Sequence, residues 1–276
     1  MRRVGIITMP SNEVPGAASY IPLAVINWFR DAGITVVPIS YRLRSKDIPA
    51  VFQHIHGLFL QGGPNYVPSY MRVASKCLKL ASDSNEKGEY FPVMGVCHGF
   101  QLMMKEFGSA WPLDSFDSMT WKTHLKLIST TESRLTINTT GPAEFSHQYG
   151  ITRASFEGTP SLIDTFRILA TAVDRRGQEY VALIEGLTLP FYGMQFHPEQ
   201  TSGWTPAFFK AEMERSTHTG ALPPGAMIKS ATRTRCSTEW KPYHSDNLPP
   251  PCLRFRRKLK GLRKTKKKVR FLLKEE

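Results

Sequence analysis

Short apolar runs and longer amphipathic stretches alternate along the first hundred residues. The run over 4–8 is apolar on both faces and stops at Met9-Pro10, which predicts a buried strand. Ile21, Ala24, Val25, Trp28 and Phe29 recur at helical spacing and predict a helix over 19–32, with Gly33 as its C-terminal stop. Further strands are predicted over 34–39, 57–60 and 91–96, and a second helix over 69–81, while the polar stretch 82–89 reads as a loop. The strand over 57–60 ends in Gln61-Gly62-Gly63-Pro64. The strand over 91–96 runs straight into Cys97 and is followed by helical spacing over 100–107. Strands that are apolar on both faces and alternate with helices predict an α/β fold, with a mostly parallel central sheet flanked by helices.

After Gly108 the pattern shortens and alternates more. Strands over 125–129, 134–138, 168–174 and 181–185 predict a smaller antiparallel section, followed by a strand over 191–196 and a last helix over 208–215. Apolar periodicity fails from about 219, and Pro223-Pro224-Gly225 and Pro249-Pro250-Pro251 break any element. These features divide the chain into one domain over 1–218 and a proline-containing, basic, disordered tail over 219–276. No internal repeat is visible.

Composition changes this picture in one respect. The 276 residues and 41% hydrophobic content suit a single α/β domain with a sizeable core. The net charge of +13 is concentrated in 229–276, which holds 16 Lys or Arg and 4 Asp or Glu, leaving 20 and 19 for the rest of the chain. The body is therefore nearly neutral, and its charge does not point to nucleic acid. The tail admits phosphate binding by counterion release, but a solvated, disordered tail is the favoured reading. Four cysteines (Cys77, Cys97, Cys236 and Cys252) form no CxxC pair, so a structural zinc site is not expected and free thiols are. The N-terminus lacks a signal-peptide core and no run of about 18 apolar residues occurs, so no membrane span is expected. The numbered chain favours the cytoplasm. The Asn138-Thr139-Thr140 sequon matters only in a secreted chain.

Three stretches carry candidate chemistry. Gly95-Val96-Cys97-His98-Gly99, set between a strand and a helix, is the cysteine form of a nucleophile elbow. Small neighbours permit the sharp turn, and the following helix aims its N-terminus toward the sulfur, which favours thiolate. The plain alternative is a buried core cysteine. Gln195-Phe196-His197-Pro198-Glu199 closes an apolar strand, and in an extended chain His197 and Glu199 share a face, as a base and its orienting carboxylate must. The alternative is two solvated residues at a strand end. Gly62 and Gly63 let backbone N–H groups face a ligand, and with the His98 N–H they make a candidate oxyanion hole; an ordinary glycine turn is the competing reading. All three stretches fall at the C-terminal ends of strands, where ligands of open α/β sheets gather.

Together these stretches resemble the class I glutamine amidotransferase-like superfamily, which has a flavodoxin-like α/β fold. Over about 4–215 the chain is more closely similar to the γ-glutamyl hydrolases, the folate-polyglutamate-trimming peptidases. Ser19-Tyr20-Ile21, Trp28, Val36-Val37-Pro38-Ile39, the stretch from Glu89-Tyr90-Phe91-Pro92-Val93 to Gln101, and Phe191-Tyr192-Gly193-Met194-Gln195-Phe196-His197-Pro198-Glu199 carry that likeness. The resemblance implies a Cys97 nucleophile, a His197 base oriented by Glu199, a thioester intermediate, no metal or cofactor and a small γ-glutamyl substrate. A second copy of the chain, in a homodimer, is a candidate partner that the sequence does not decide. Phe145-Ser146-His147-Gln148-Tyr149 resembles the family's second histidine segment with one residue inserted, which would put His147 at the scissile carbonyl. Arg72 and Lys76 are the nearest guesses for cations facing substrate carboxylates. Departures are His98 beside the nucleophile, the loosely matching 200–204, the absent leader (relatives are often vacuolar, lysosomal or secreted) and the tail. Two other readings stand beside this one: a glutaminase that serves a synthase partner, and a non-catalytic domain with a nucleic-acid-binding tail.

Overall fold

The computed structural model describes residues 1–10, 19–63, 67–108, 112–128, 132–135, 137 and 140–218. In chain order they form β1 (Arg3–Ile7), β2 (Met9–Pro10), β3 (Ser19–Tyr20), α1 (Leu23–Asp31), β4 (Thr35–Ile39), α2 (Ile48–Phe52), β5 (Gly57–Leu60), α3 (Pro68–Glu86), β6 (Val93–Val96), α4 (His98–Gly108), β7 (Asp114–Thr123), β8 (Lys126–Leu127), β9 (Ala143–Gly150), α5 (Arg153–Glu157), α6 (Pro160–Ile163), β10 (Phe166–Val173), β11 (Glu179–Gly186), β12 (Phe191–Met194) and α7 (Ala207–Glu214). The tail over 219–276, Asn138 and Thr139 of the sequon, Cys236 and Cys252 lie outside the described residues. Among the described residues no helix is long and apolar enough to cross a membrane.

One eight-stranded sheet organises the domain, in the order β4-β1-β5-β6-β12-β11-β10-β8. The strands from β4 to β12 run parallel to one another, and β11, β10 and β8 continue the sheet antiparallel. This is the mostly parallel sheet with a smaller antiparallel section that the apolar runs predicted. Side chains alternate across the sheet, so each strand feeds two cores. Ile7, Leu58, Leu60 and Val93 pack against α2, α3 and α4 through Phe52, Tyr70, Val73 and Phe100. Val4, Ile6, Phe59 and Met94 pack on the other face against α1 and α7 through Val25, Phe29, Phe209 and Met213. Burying each such large side chain contributes about 1.5–3 kcal/mol, which is why runs apolar on both faces read as central strands.

Several boundaries differ from the sequence reading, each for a local reason. The first helix starts at Leu23, not 19, because Pro22 holds an extended backbone and Ser19–Tyr20 pairs with Met9–Pro10 instead. The second helix runs on to Glu86 through the stretch read as a loop. The polar residues there are its solvent face, held by the Lys79–Asp83 ion pair, while the Asn85 amide bonds the Ala81 and Phe91 carbonyls and ties the helix end to the chain entering β6. The strand expected over 134–138 does not form in its described part.

Arg134 is held elsewhere. Its backbone N–H and Nε both donate to Glu185 Oε1, at 3.0 and 2.6 Å, and Nη2 donates to the Gly186 and Leu189 carbonyls. Glu185 is fully buried. Arg134→Met leaves that carboxylate without its countercharge and is expected to cost about 3–5 kcal/mol in urea unfolding. A cost below about 1 kcal/mol would mean that the pair behaves like a surface contact.

The largest structure unforeseen in the sequence is the antiparallel β7–β9 ribbon, which forms its own two-stranded sheet. β7 slips register against β9 between Ser115 and Ser118 and again between Ser118 and Trp121. These irregularities break the period-two alternation by which a strand is recognised.

Candidate active site

β5, β6 and β12 are adjacent parallel strands, with Leu60 opposite Gly95 and Met194 opposite Val96. Their C-terminal ends therefore deliver Gln61-Gly62-Gly63, Cys97 and the segment 195–199 to one edge of the sheet, the ligand edge of open α/β folds.

β6 turns into α4 at a single residue. Cys97 has φ 51, in the left-handed region, a conformation that among the described non-glycine residues only Thr120 shares. The turn is held by Cys97 N–H donating to the Met194 carbonyl at 2.7 Å and Gln101 N–H to the Cys97 carbonyl at 3.0 Å. The flanking glycines are steric necessities. A Cβ on Gly95 would lie 2.7 Å from the Gly99 carbonyl oxygen, and one on Gly99 only 2.0 Å from the Leu60 carbonyl oxygen. The helix begins at His98, two residues earlier than its spacing suggested, which sets the sulfur directly at the N-terminus of α4. The Cys97 side chain is buried, with Sγ 3.7 Å from the Ser146 carbonyl oxygen on β9.

His197 and Glu199 do meet, but by a turn and not by strand alternation. β12 ends at Met194, and the Gln200 N–H closes a turn on the His197 carbonyl at 3.1 Å. His197 Nδ1 then lies 2.8 Å from Glu199 Oε1, in a pair whose side chains are 10% and 4% exposed. An ionised carboxylate only accepts, so Nδ1 carries the hydrogen and Nε2 is left for the sulfur. The imidazole backbone is pinned from both sides: the His197 N–H donates to the Glu144 carbonyl at 2.8 Å, and the Thr201 hydroxyl donates to the His197 carbonyl at 2.8 Å. Burial disfavours a charge on His197, but the Glu199 carboxylate and the Cys97 sulfur outweigh it and hold its pKa well above 6.5. His197 thus holds a proton beside the Cys97 sulfur.

Gly62 fits against both groups. A Cβ there would lie 2.7 Å from His197 Cε1 and 3.1 Å from Cys97 Cβ, so any side chain would push the strand end away from the sulfur. Gly63 follows with φ 131, and the Gln61 amide anchors the segment to the Ile7 carbonyl at 2.6 Å. His98 is buried with its ring beside Tyr70 of α3, 5.9 Å between centroids, and burial lowers its pKa to about 4, so it is neutral. His147 points into an aromatic cage of Tyr180, Phe145 and Phe116, with its Nδ1 3.0 Å from the Tyr149 carbonyl oxygen. Burial pushes its pKa to about 3, with the nearby His197 charge working in the same direction. Cys97, His197, Glu199 and Gly62 thus form one cluster, while the rings of His98 and His147 sit in aromatic packing beside it. Arg72 is directed elsewhere, donating to the Leu43 carbonyl and the Ser45 hydroxyl at 3.0 Å each.

The sequence reading missed a buried amide link. Gln101 of α4 donates to the Tyr149 carbonyl at 2.6 Å and meets Gln195 Oε1 at 3.4 Å, which joins the helix after Cys97 to the segment carrying His197. The signal was present as two glutamines in otherwise apolar runs. Among the described residues no group of three His, Cys, Asp or Glu is placed to hold a metal ion.

Comparison with known proteins places the chain as a whole. Residues 23–214 match the family Glutamine amidotransferase class-I. Gamma-glutamyl hydrolase 1 of Arabidopsis thaliana is 26% identical over 218 residues, covering 72% of this chain and 63% of the relative. Gamma-glutamyl hydrolase B of Dictyostelium discoideum is 26% identical over 216 residues, 72% of this chain and 62% of the relative. The Gamma-glutamyl hydrolase of Homo sapiens is 27% identical over 194 residues, 66% and 61%. The chain therefore spans less than two thirds of the length of these relatives. A solved structure from Thermoplasma acidophilum, described as belonging to a GMP synthase, superposes with TM-score 0.53 at 17% identity, covering 78% of this chain and 94% of that one, and shares the fold. A match over most of the domain, with a cysteine elbow and a His–Glu pair at adjacent strand ends, places the chain in the class-I glutamine amidotransferase family.

Proposed function

We propose that this protein is a cysteine hydrolase that cleaves γ-glutamyl amide bonds, including those of folylpoly-γ-glutamates and related conjugates. The observation that carries the reading is the left-handed Cys97 at the head of α4, set against a buried His197–Glu199 pair that holds a proton. The likeness to γ-glutamyl hydrolases supports the choice of bond.

In this reading the Cys97 thiolate attacks the γ-carbonyl carbon, forming a C–S bond, and the carbonyl oxygen takes the negative charge. Backbone N–H groups at His98 and at Gly62-Gly63 face that oxygen. When the tetrahedral species collapses, the C–N bond breaks and the imidazolium of His197 gives its proton to the departing amine. Water then attacks the thioester, passing a proton to His197. The free γ-carboxyl product leaves and the thiolate–imidazolium pair is restored. Glu199 keeps Nδ1 protonated and steadies the imidazolium throughout. His147, a neutral ring on β9, is proposed to help bind or polarise the scissile carbonyl.

Incubation with p-aminobenzoyl oligo-γ-glutamate, followed by mass spectrometry, tests this directly. Wild type is expected to shorten the chain and Cys97→Ala to leave it intact. Cleavage of free glutamine with none of the oligomer would instead point to a glutaminase.

A further inference from the structure

The irregular β7 has a consequence beside the active site. Ser115 to Ser118 of β7 face only Tyr149 to His147 of β9, and Ser118 to Trp121 face only His147 to Phe145, so the strand bulges twice within a few residues. Thr120, in the second bulge, holds φ 50. Such bulges re-aim side chains and end pairing, and they recur beside active sites. This bend is clamped in place: Arg175 pairs with the Asp117 carboxylate at 2.9 Å, donates to the Met119 and Thr120 carbonyls at 2.6 and 3.0 Å, and lies over the Trp121 ring at 5.0 Å.

What the bend creates is a cavity of about 330 Å³ lined by Phe116, Asp117, Met119, Gln148, Tyr149 and Arg176. That is at the small end of small-molecule sites. Its β9 wall belongs to the strand that reaches the sulfur. The Ser146 carbonyl is 3.7 Å from Cys97 Sγ, and Gln148 is two residues further along the same strand, about 7 Å at the rise of a β-strand.

Arg176 is presented to this cavity in a prepared state. Buried Asp174 accepts the backbone N–H groups of Asp117, Arg176 and Gln178, and also Arg176 Nε at 3.1 Å. Arg176 Nη2 reaches the Ser115 carbonyl at 3.2 Å, yet the side chain stays 56% exposed. A guanidinium carries five N–H donors, and these contacts occupy two. Asp117, the acidic group of the lining, is already paired with Arg175. The cavity therefore offers an ordered cation and an exposed carboxamide at Gln148 within a mainly polar lining.

We propose that this cavity is the subsite for the γ-glutamyl unit adjoining the scissile bond, with Arg176 receiving its α-carboxylate and Gln148 its amide group. The inference rests on the γ-glutamyl hydrolase reading above and names the residue that distinguishes carboxylated from neutral tails. Arg–carboxylate pairing is directional and charge-assisted.

The test is calorimetric titration of Cys97→Ala protein, which does not consume its ligand, with p-aminobenzoyl tri-γ-glutamate and with the same compound α-amidated. Adding Arg176→Gln is expected to weaken the carboxylated ligand about tenfold and to leave the amidated one unchanged. Equal weakening of both, or of neither, overturns the subsite. Gln148→Ala, at an exposed position, is the second variant should Arg176→Gln not fold; it is expected to weaken both ligands, and an unchanged affinity would again overturn the subsite. Cleavage of the oligomer by wild type with Arg176-independent binding removes only the subsite, whereas absence of both cleavage and binding removes the hydrolase reading with it.

Discussion

Replacing His197 by glutamine is expected to lower kcat/KM on a γ-glutamyl peptide by about 10²–10⁴-fold, the usual contribution of a positioned acid–base group. Among the described residues His197 is the ring placed between both partners: its Nδ1 is engaged by Glu199, and its pKa is held up by that carboxylate and by the Cys97 sulfur against the opposing effect of burial. The pH consequences follow in sign. A group whose pKa is raised on folding contributes stability in full below its unfolded value, about 6.5, and loses it as pH climbs through the folded value. The stability gap between wild type and His197→Gln is therefore expected to be widest in acid and to close on the alkaline side. The alkaline limb of the rate profile should likewise lie well above pH 6.5 and move down in Glu199→Gln, because the carboxylate that sustains the imidazolium is gone. A limb that stays in place would mean that Glu199 does not set the proton affinity of the site.

The second large effect is expected at Gly99, where chemistry and fold meet. The residue lies in the first turn of α4 with the Leu60 carbonyl of β5 directly against it, and an added Cβ would sit 2.0 Å from that oxygen and 2.6 Å from its carbon. The obstacle is backbone on both sides, so no rotamer change relieves it. Gly99→Ala is expected to cost about 3 kcal/mol or more, a fall of about 6–12 °C in Tm for a domain of this size. Residual activity should fall as well, because relief of the clash moves the end of β5, and with it Gly62, away from Cys97. A variant melting within about 2 °C of wild type would show that β5 and α4 are not in contact as described.

Much of the fold was legible because its information is local. Runs such as Val4-Gly5-Ile6-Ile7 and Gly57-Leu58-Phe59-Leu60 are apolar on both faces, and only a strand buried between two helix layers accommodates that. Where local signals were ambiguous, the reading failed. The polar face of α3 past Ala81 read as a loop, since solvated helix and solvated loop share a composition. The β7–β9 ribbon went unseen because its bulges erase alternation.

The candidate site divides in the same way. The sequence alone singled out Cys97 between small glycines, and His197 two residues from Glu199, because strand-to-helix turns and adjacent polar groups are written in neighbouring residues. That β5, β6 and β12 lie side by side, bringing segments more than a hundred residues apart to one sheet edge, is a matter of strand order, which no local pattern carries. The turn that joins His197 to Glu199, the closeness of Gly62 to both sulfur and imidazole, the aromatic packing of His98 and His147, and the cavity at Arg176 were decided only by tertiary structure. Each depends on a distance between elements remote in the chain, and such distances are set by packing across the whole sheet.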